Sequence, residues 1–163
     1  CVCASAATVS VGFERGVAVA YTIEVSPDGC FLVITVRGSF GSEEGLKYTA
    51  EAHALGARLG IDRVLVDVTG AVNSDVTENS YDFAYRRLPR GADHPGPRRI
   101  ATLVSPDDHS HDFVLLASQN AGFNVRSFRD RAAAESYLRA PDGAQPDGSP
   151  AIGPPFYSFG GED

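Results

Sequence analysis

The feature that most constrains the fold is a short apolar segment near the middle of the chain, residues 63–68, with the sequence Arg-Val-Leu-Val-Asp-Val. A continuous apolar run of this length is typical of a strand that is buried on both faces, as in a parallel sheet. Thr69 and Gly70 follow it, so the sequence predicts that the strand ends here, before a loop and a helix start. Open α/β sheets hold their sites at this edge, which makes Asp67 and Thr69 candidate site residues.

Strands alternate with helices on both sides of this segment. The predicted strands are residues 21–25, 31–36, 63–68, 100–104 and 123–128, and the predicted helices begin at Ser42, at Ser74 or Asp75, after Asp108 and at Asp130. The first two strands should pair as an antiparallel hairpin through a Ser-Pro-Asp-Gly turn. The order predicts an α/β fold with an open mixed sheet of about five strands, mostly parallel after the hairpin, packed with about four helices.

Composition divides the chain into three parts. Residues 1–19 are expected to be an N-terminal extension, spurious or disordered, because the chain has no Met and Val19 directly precedes a strand-like start. Residues 20–139 are globular in pattern and long enough for one core. Residues 140–163 are rich in Pro, Gly and Asp, and such a tail cannot bury enough apolar surface to order itself.

Charge and cysteine usage narrow the function classes. The net charge of -7 argues against nucleic-acid binding, which needs a basic face. No apolar run is long enough for a transmembrane helix. Cys1, Cys3 and Cys30 form no disulfide framework, so a cytoplasmic protein is expected.

Three segments resemble the SpoIIAA-like family, which belongs to the STAS and SEC14-like fold group. They are VLVDVTG ahead of one helix, IATLVSPDD ahead of another and NAGFNVRSFRD ahead of the last, and the resemblance covers roughly residues 21–139. It implies a STAS-like fold and a small bacterial cytoplasmic module that is usually not an enzyme. No catalytic residue, cofactor or metal is therefore expected.

The resemblance also implies a phosphorylation site. Anti-sigma-factor antagonists of this fold carry Asp-Ser-Ser/Thr-Gly at a helix start, and a kinase phosphorylates the serine there. The nearest match is Asp75-Val76-Thr77-Glu78, which makes Thr77 the candidate, because a helix's first turn favours phosphate. Val76 replaces the serine and Glu78 would repel a phosphate, so the alternative is that Ser74 or Asp75 only caps the helix.

A second cluster combines His109 and His111 with Asp107, Asp108 and Asp112. Histidine and carboxylate are suitable zinc ligands. However, two residues that are two apart at a helix start point in different directions. The sequence therefore favours a helix cap by Asp107 or Asp108 and solvated histidines over a metal site.

Two main functions remain open. The first is a regulatory module that binds a protein partner or itself, because the second helix is more aromatic than a small core requires. The second is a carrier or sensor of a lipid or other small apolar ligand, which needs a pocket of roughly 300 Å³ or more. A metal-dependent enzyme is a third. Asp67 also has a structural alternative, in which it only fixes the following turn. The candidate ligand or partner site comprises Asp67, Thr69, Ser74, Asp75, Thr77, Tyr81 and Tyr85.

Overall fold

A computed structural model describes residues 9–10, 20–74, 86 and 98–141 of the chain. They form a mixed sheet whose six strands follow one another in chain order. The strands are β1 (Val9–Ser10), β2 (Ala20–Val25), β3 (Leu32–Phe40), β4 (Arg63–Asn73), β5 (Arg99–Leu103) and β6 (Val125–Phe128). The helices are α1 (Ser42–Leu59), α2 (Asp112–Asn120) and α3 (Arg131–Arg139).

The topology confirms the predicted α/β fold. β2 pairs antiparallel with both β1 and β3, and β3 to β6 pair in parallel. The short strand β1 was not predicted, and it lies within the expected N-terminal extension. About four helices were predicted, but the described residues contain three. The remaining predicted helix starts at Ser74 or Asp75 and falls almost entirely outside the described part of the chain.

The predicted boundaries of β4 and α1 are wrong. β4 does not end before Thr69 but continues to Asn73, beside a β3 that is also longer than predicted. The parallel partner explains this, since β3 pairs with β4 as far as Phe40 and Asn73. α1 is preceded by Gly41 as its N-cap, and Ser42 is its first residue. The side chain of Glu44 accepts the Gly41 N–H at 3.0 Å, which replaces the predicted serine cap.

The helices divide between the two faces of the sheet. Alternate strand residues point to opposite faces, and the buried side chains accordingly form two clusters. α1 covers the first cluster, whose strand members are Tyr21, Ile23, Leu32, Ile34, Val36, Phe40, Val64, Val68 and Ala71. α3 covers the second, which contains Phe31, Val33, Leu65, Ala101 and Leu103. α3 lies over β4, β5 and β6, and its buried residues also pack in one cluster with Val33 of β3.

Two arginines hold the C-terminal end of α3. The last carbonyls of a helix have no partner within it. Arg99 is only 6% exposed, and its guanidinium donates to the carbonyls of Tyr137, Ala140 and Pro141 at 2.8, 3.0 and 2.7 Å. Arg63 donates to the carbonyls of Leu138 and Ala140. These bonds fix α3 against the amino ends of β4 and β5.

None of the helices within the described residues is long and apolar enough to cross a membrane.

Candidate functional site

A bulge in β4 shapes the surroundings of Asp67. Thr35 of β3 lies opposite Asp67, but two residues further along β3, Arg37 lies opposite Gly70. β4 therefore holds one extra residue at Val68 and Thr69, which bends the strand and interrupts its ladder. The predicted loop after Asp67 is in fact this bulge, followed by an arm of β4 that projects beyond the end of β5 at Leu103.

The carboxylate of Asp67 supports the bulge directly. Its Oδ1 accepts the backbone N–H of Thr69 at 3.1 Å and the Thr69 hydroxyl at 2.7 Å. Asp67 is 6% exposed, so these bonds compensate for part of the cost of burying a charge. These bonds agree with the alternative in which Asp67 fixes the backbone that follows it. The carboxylate also has charged neighbours.

Two arginines stand beside this carboxylate on the face that carries α3. Arg37 Nη1 lies 3.5 Å from one Asp67 oxygen, and Arg131 Nη1 lies 3.6 Å from the other. Both arginine side chains are about half exposed, at 49% and 52%. The Arg37 side chain crosses Gly70 so closely that a Cβ at Gly70 would lie 2.4 Å from its Cδ. A residue without a side chain is therefore needed there for Arg37 to keep this position.

The ion pairs continue along α3. Glu135 bonds Arg131 at 3.0 Å and Arg139 at 2.9 Å, with the four-residue spacing that stabilises a helix surface. Arg139 also bonds Asp28 in the β2–β3 turn at 2.7 Å. The Ser26 hydroxyl and then Arg139 hold the pKa of the Asp28 carboxyl well below its usual value. The chain of charges links both ends of α3 to the sheet.

Side chains of residues 105–111 take the place of a strand beside the projecting arm of β4. The Ser105 hydroxyl donates to the Thr69 carbonyl at 2.8 Å. The backbone N–H of Asn73 donates to Ser110 Oγ at 3.1 Å. His111 Nε2 lies 3.4 Å from the Ala71 carbonyl oxygen. The open edge of β4 is thereby covered without another strand.

The remaining predicted site residues divide into two groups. Ser74 is described, and its hydroxyl donates to the Phe40 carbonyl at 2.9 Å. Asp75, Thr77, Tyr81 and Tyr85 lie outside the described residues. The phosphorylation of Thr77 and the interface role of the tyrosines stay predictions.

Val72 is an exposed apolar side chain on the projecting arm. It pairs with Ser39, so it lies on the same face as Arg37 and Gly70. Its exposed fraction is 55%. Together with Thr69, which is also exposed, the side chains of Arg37, Val72 and Arg131 form what we call the edge patch.

A cavity lies on the opposite face, between α1, α2 and the sheet. Its volume is about 130 Å³. Its described lining is mainly apolar and includes Val66, Val68, Ile100, Val114 and Phe123. Among the polar residues in its lining are Thr102, Ser118 and His111, which are 6%, 8% and 3% exposed.

His111 is oriented by two acceptors. Its Nε2 lies 3.2 Å from Asp108 Oδ2, in addition to the Ala71 carbonyl, and its ring stacks on Phe40 with centroids 5.7 Å apart. Burial raises the pKa of the Asp108 carboxyl, but hydrogen bonds from Ser110 and the charges of His111 and His109 outweigh it, so the pKa lies below its usual value. Asp108 is therefore an acceptor at neutral pH.

The predicted environment of the histidine cluster is partly wrong. His111 is buried rather than solvated, because α2 begins only at Asp112 and the preceding loop folds under the arm of β4. Its N-cap is His111 and has no side-chain bond, so neither Asp107 nor Asp108 caps the helix. His109 is exposed and bonds Asp112 at 2.8 Å. Within the described ranges, no three potential ligands are grouped to hold a metal ion.

Sequence reasoning missed the roles of Arg37, Arg131 and the buried His111. The alternation of strand residues between the two faces of the sheet could have identified Arg37. It lies two residues after Thr35, which pairs with Asp67, so Arg37 and Asp67 are on the same face. Arg131 follows a helix cap that was predicted correctly, because Asp130 accepts the Ala133 N–H at 2.8 Å. No local signal distinguishes His111 from His109, since their burial depends on how the loop packs.

Comparisons with known proteins were informative at the level of fold. No protein-family model matches the chain, and a search of curated proteins found no match. Among solved structures, the chain is similar to an uncharacterised protein of the DUF3478 family with a SpoIIAA-like fold, from Shewanella loihica PV-4. The TM-score is 0.48 and the identity 19%, over 78% of this chain and 99% of that chain. The SpoIIAA-like resemblance of the sequence is thus found again among solved structures. It concerns the fold alone.

Proposed function

We propose that this chain is a small non-enzymatic regulatory module that binds a protein partner, or a second copy of itself, through the edge patch. The observation that carries the proposal is the exposure of Val72, at 55%, on the same face of the sheet as the half-exposed Arg37, whose side chain crosses Gly70 two residues before it. Interfaces combine an apolar centre with a polar rim, and arginine is enriched in them. The sequence resemblance to SpoIIAA-like proteins implies the same class of function.

The charge arrangement supports a role in recognition. Arg37 and Arg131 each have five N–H donors. Arg37 Nη1 donates to the Val36 carbonyl at 2.9 Å, and Arg131 Nε donates to Glu135 at 3.0 Å, while the buried Asp67 carboxylate lies 3.5 and 3.6 Å from the two guanidinium groups. Both arginine side chains are about half exposed, so part of each guanidinium faces solvent. A partner that presents carboxylates around an apolar side chain would complement this surface.

The test compares two apolar-to-polar substitutions on exposed side chains. Val72→Thr keeps a β-branched residue in the strand and removes one apolar contact. Leu59→Gln is the matched control, because Leu59 is 39% exposed at the far end of α1. Sedimentation velocity of the full chain over a roughly hundredfold concentration range measures self-association. We expect Val72→Thr to weaken it and Leu59→Gln to leave it unchanged.

Other outcomes of this experiment are decisive as well. A dimer that is unaffected by Val72→Thr contradicts the edge patch. If the chain stays monomeric, cross-linked partners are compared between the two variants by mass spectrometry. A partner retained by Leu59→Gln and lost by Val72→Thr supports the proposal, whereas equal recovery contradicts it.

Ligand binding is the second candidate function, and the cavity of about 130 Å³ favours it. This volume is less than half of the roughly 300 Å³ that a typical ligand pocket requires. A lipid chain therefore does not fit within it. A cavity of about 150 Å³ is enough to bind benzene, so the size supports a ligand of one ring.

A further inference from the structure

We propose that residues 156–163 of the chain bind the edge patch of the same molecule and compete there with the protein partner. This segment has the sequence Phe-Tyr-Ser-Phe-Gly-Gly-Glu-Asp and lies outside the described residues. We call it the aromatic-acidic segment. The inference rests on the proposed function, because it names what occupies the same surface when no partner is bound.

The charge of Arg37 is available to a second carboxylate. Its closest bond, at 2.9 Å, is to the neutral carbonyl of Val36. The Asp67 oxygen at 3.5 Å already accepts two hydrogen bonds from Thr69. With 49% of its side chain exposed, Arg37 retains N–H donors that a carboxylate from solvent can accept.

The sequence that follows the described residues is acidic. Residues 142–163 contain four carboxylates and neither Lys nor Arg; the four are Asp142, Asp147, Glu162 and Asp163. Two of them, Glu162 and Asp163, come directly after the three aromatic residues of this stretch, Phe156, Tyr157 and Phe159. The stretch therefore presents carboxylates beside apolar side chains, which is the chemistry that complements the edge patch.

The patch and the segment also agree in spacing. Val72 is two residues beyond Gly70, where the Arg37 side chain crosses β4, and two strand residues span about 7 Å. Glu162 is three residues beyond Phe159, which span about 10 Å in an extended chain. An aromatic ring that packs on Val72 thus places a carboxylate within reach of Arg37.

The other exposed apolar side chains of the described residues are less suitable. Phe113 and Leu116 lie on α2, and Asp112, with 57% of its side chain exposed, begins that helix and would repel an acidic segment. Leu59 follows Arg58 in the last turn of α1, but consecutive helix residues do not face each other.

The chain between Pro141 and the segment is long enough for contact within one molecule. Pro141 lies at the amino end of the sheet, where its carbonyl accepts Arg99. The nine residues of α3 lead back about 14 Å towards the edge patch, and the arm of β4 from Asp67 to Val72 adds about 16 Å. The fifteen steps from Pro141 to Phe156 cover up to about 50 Å when extended.

Such a tether makes a weak contact effective. A short flexible linker holds its end at an effective concentration in the millimolar range. A partner or a second copy must displace the segment, so its apparent affinity falls in proportion to the fraction of free patch. The segment is therefore an autoinhibitory element that a more strongly binding partner overcomes.

Amide resonances of the full chain, recorded by nitrogen-15 NMR, test the contact. Glu162→Gln with Asp163→Asn removes the two charges of the segment. Asp142→Asn with Asp147→Asn is the matched control, since it removes two charges from the same part of the chain. We expect the first pair to shift the Val72 resonance and to lower the ratio of occupied to free patch roughly two- to tenfold. The control should leave it unchanged.

A second pair of variants tests the aromatic contact. Phe159→Ser should shift the Val72 resonance in the same direction, whereas Ile152→Ser, an apolar substitution outside the segment, should not. A Val72 resonance that responds to neither Phe159→Ser nor the loss of the two charges would overturn the proposal. A response that disappears on tenfold dilution would assign the segment to a second copy and overturn the intramolecular contact.

Sedimentation velocity and cross-linking separate this inference from the proposed function. We expect the loss of Glu162 and Asp163 charges to strengthen association or partner recovery, and Val72→Thr to weaken it. If Val72→Thr weakens it but the segment variants change neither association nor the Val72 resonance, autoinhibition is wrong and the proposed function stands. If the segment variants shift the resonance but Val72→Thr leaves association and partner recovery unchanged, the proposed function is rejected and, with it, the competition.

Discussion

Replacing Arg99 by methionine should destabilise the protein more than any exposed arginine substitution does. The guanidinium of Arg99 donates three hydrogen bonds to carbonyls at the end of α3, and it lies 5.4 Å from the centroid of the Tyr137 ring. Methionine fills much of the same volume without a donor. The variant thus leaves the helix end without its main partner.

The loss of stability in Arg99→Met depends on which of the three carbonyls can bind another donor. The Ala140 carbonyl keeps Arg63 at 3.1 Å, and Pro141 is exposed, so its carbonyl can bind water. Tyr137 is buried, and leaving its carbonyl unpaired costs about 1–3 kcal/mol. The lost cation–π contact adds about 0.5–1 kcal/mol to this cost. Methionine carries no charge, so the variant avoids the desolvation cost of the buried guanidinium, which offsets part of the loss. We expect a net loss of about 2 kcal/mol.

Urea unfolding followed by circular dichroism measures this loss, because the chain has no Trp to report by fluorescence. Arg98→Met is the matched control: the Arg98 side chain is 60% exposed and pairs with Asp62 at 3.0 Å, so its loss should cost less than about 1 kcal/mol. Equal midpoints for the two variants would refute the reasoning. If Arg99→Met were more stable than the native chain, the desolvation cost of the buried guanidinium would exceed the stabilisation from its hydrogen bonds.

Three further substitutions test other parts of the structure. Asp67→Asn removes the charge beside two half-exposed arginines, so urea unfolding should show a loss of only about 1 kcal/mol; no loss would mean that the charge is unimportant. Asp28 has a pKa held low first by Ser26, so its stabilising contribution is present above about pH 4 and lost in stronger acid. Asp28→Asn should therefore flatten the acid decline in stability, and an unchanged pH profile would contradict this. Gly56→Ala places a Cβ 2.5 Å from the Ile61 carbonyl oxygen and should lower the melting temperature at a cost of about 1–3 kcal/mol; an unchanged melting curve would contradict this packing.

Local chemistry predicted several elements correctly. Gly60 ends α1 in the left-handed conformation with φ of 68°, as its position after the last apolar residues indicated. Asp130 caps α3, and the Ser26–Gly29 turn joins β2 to β3, with the Ser26 N–H bonded to the Phe31 carbonyl. These features depend on a few neighbouring residues.

Long-range pairing explains the errors. β4 was expected to end near Thr69, because small and polar residues normally follow a strand. It continues since β3 offers partners as far as Phe40, and the extra residue is absorbed in a bulge that Asp67 stabilises. His111 was expected to be solvated, but its loop covers the arm that this pairing creates.

The sequence by itself determined the alternation of strands and helices, the antiparallel hairpin and the position of Asp67 in a buried strand, because apolar periodicity and turn chemistry are local properties. Only the tertiary structure decided that Arg37 and Arg131 meet Asp67 from elements 30 and 64 residues away along the chain. It also decided that His111 lines a cavity while His109 stays in solvent. Such contacts arise from strand register and helix packing, which join residues that no local pattern relates.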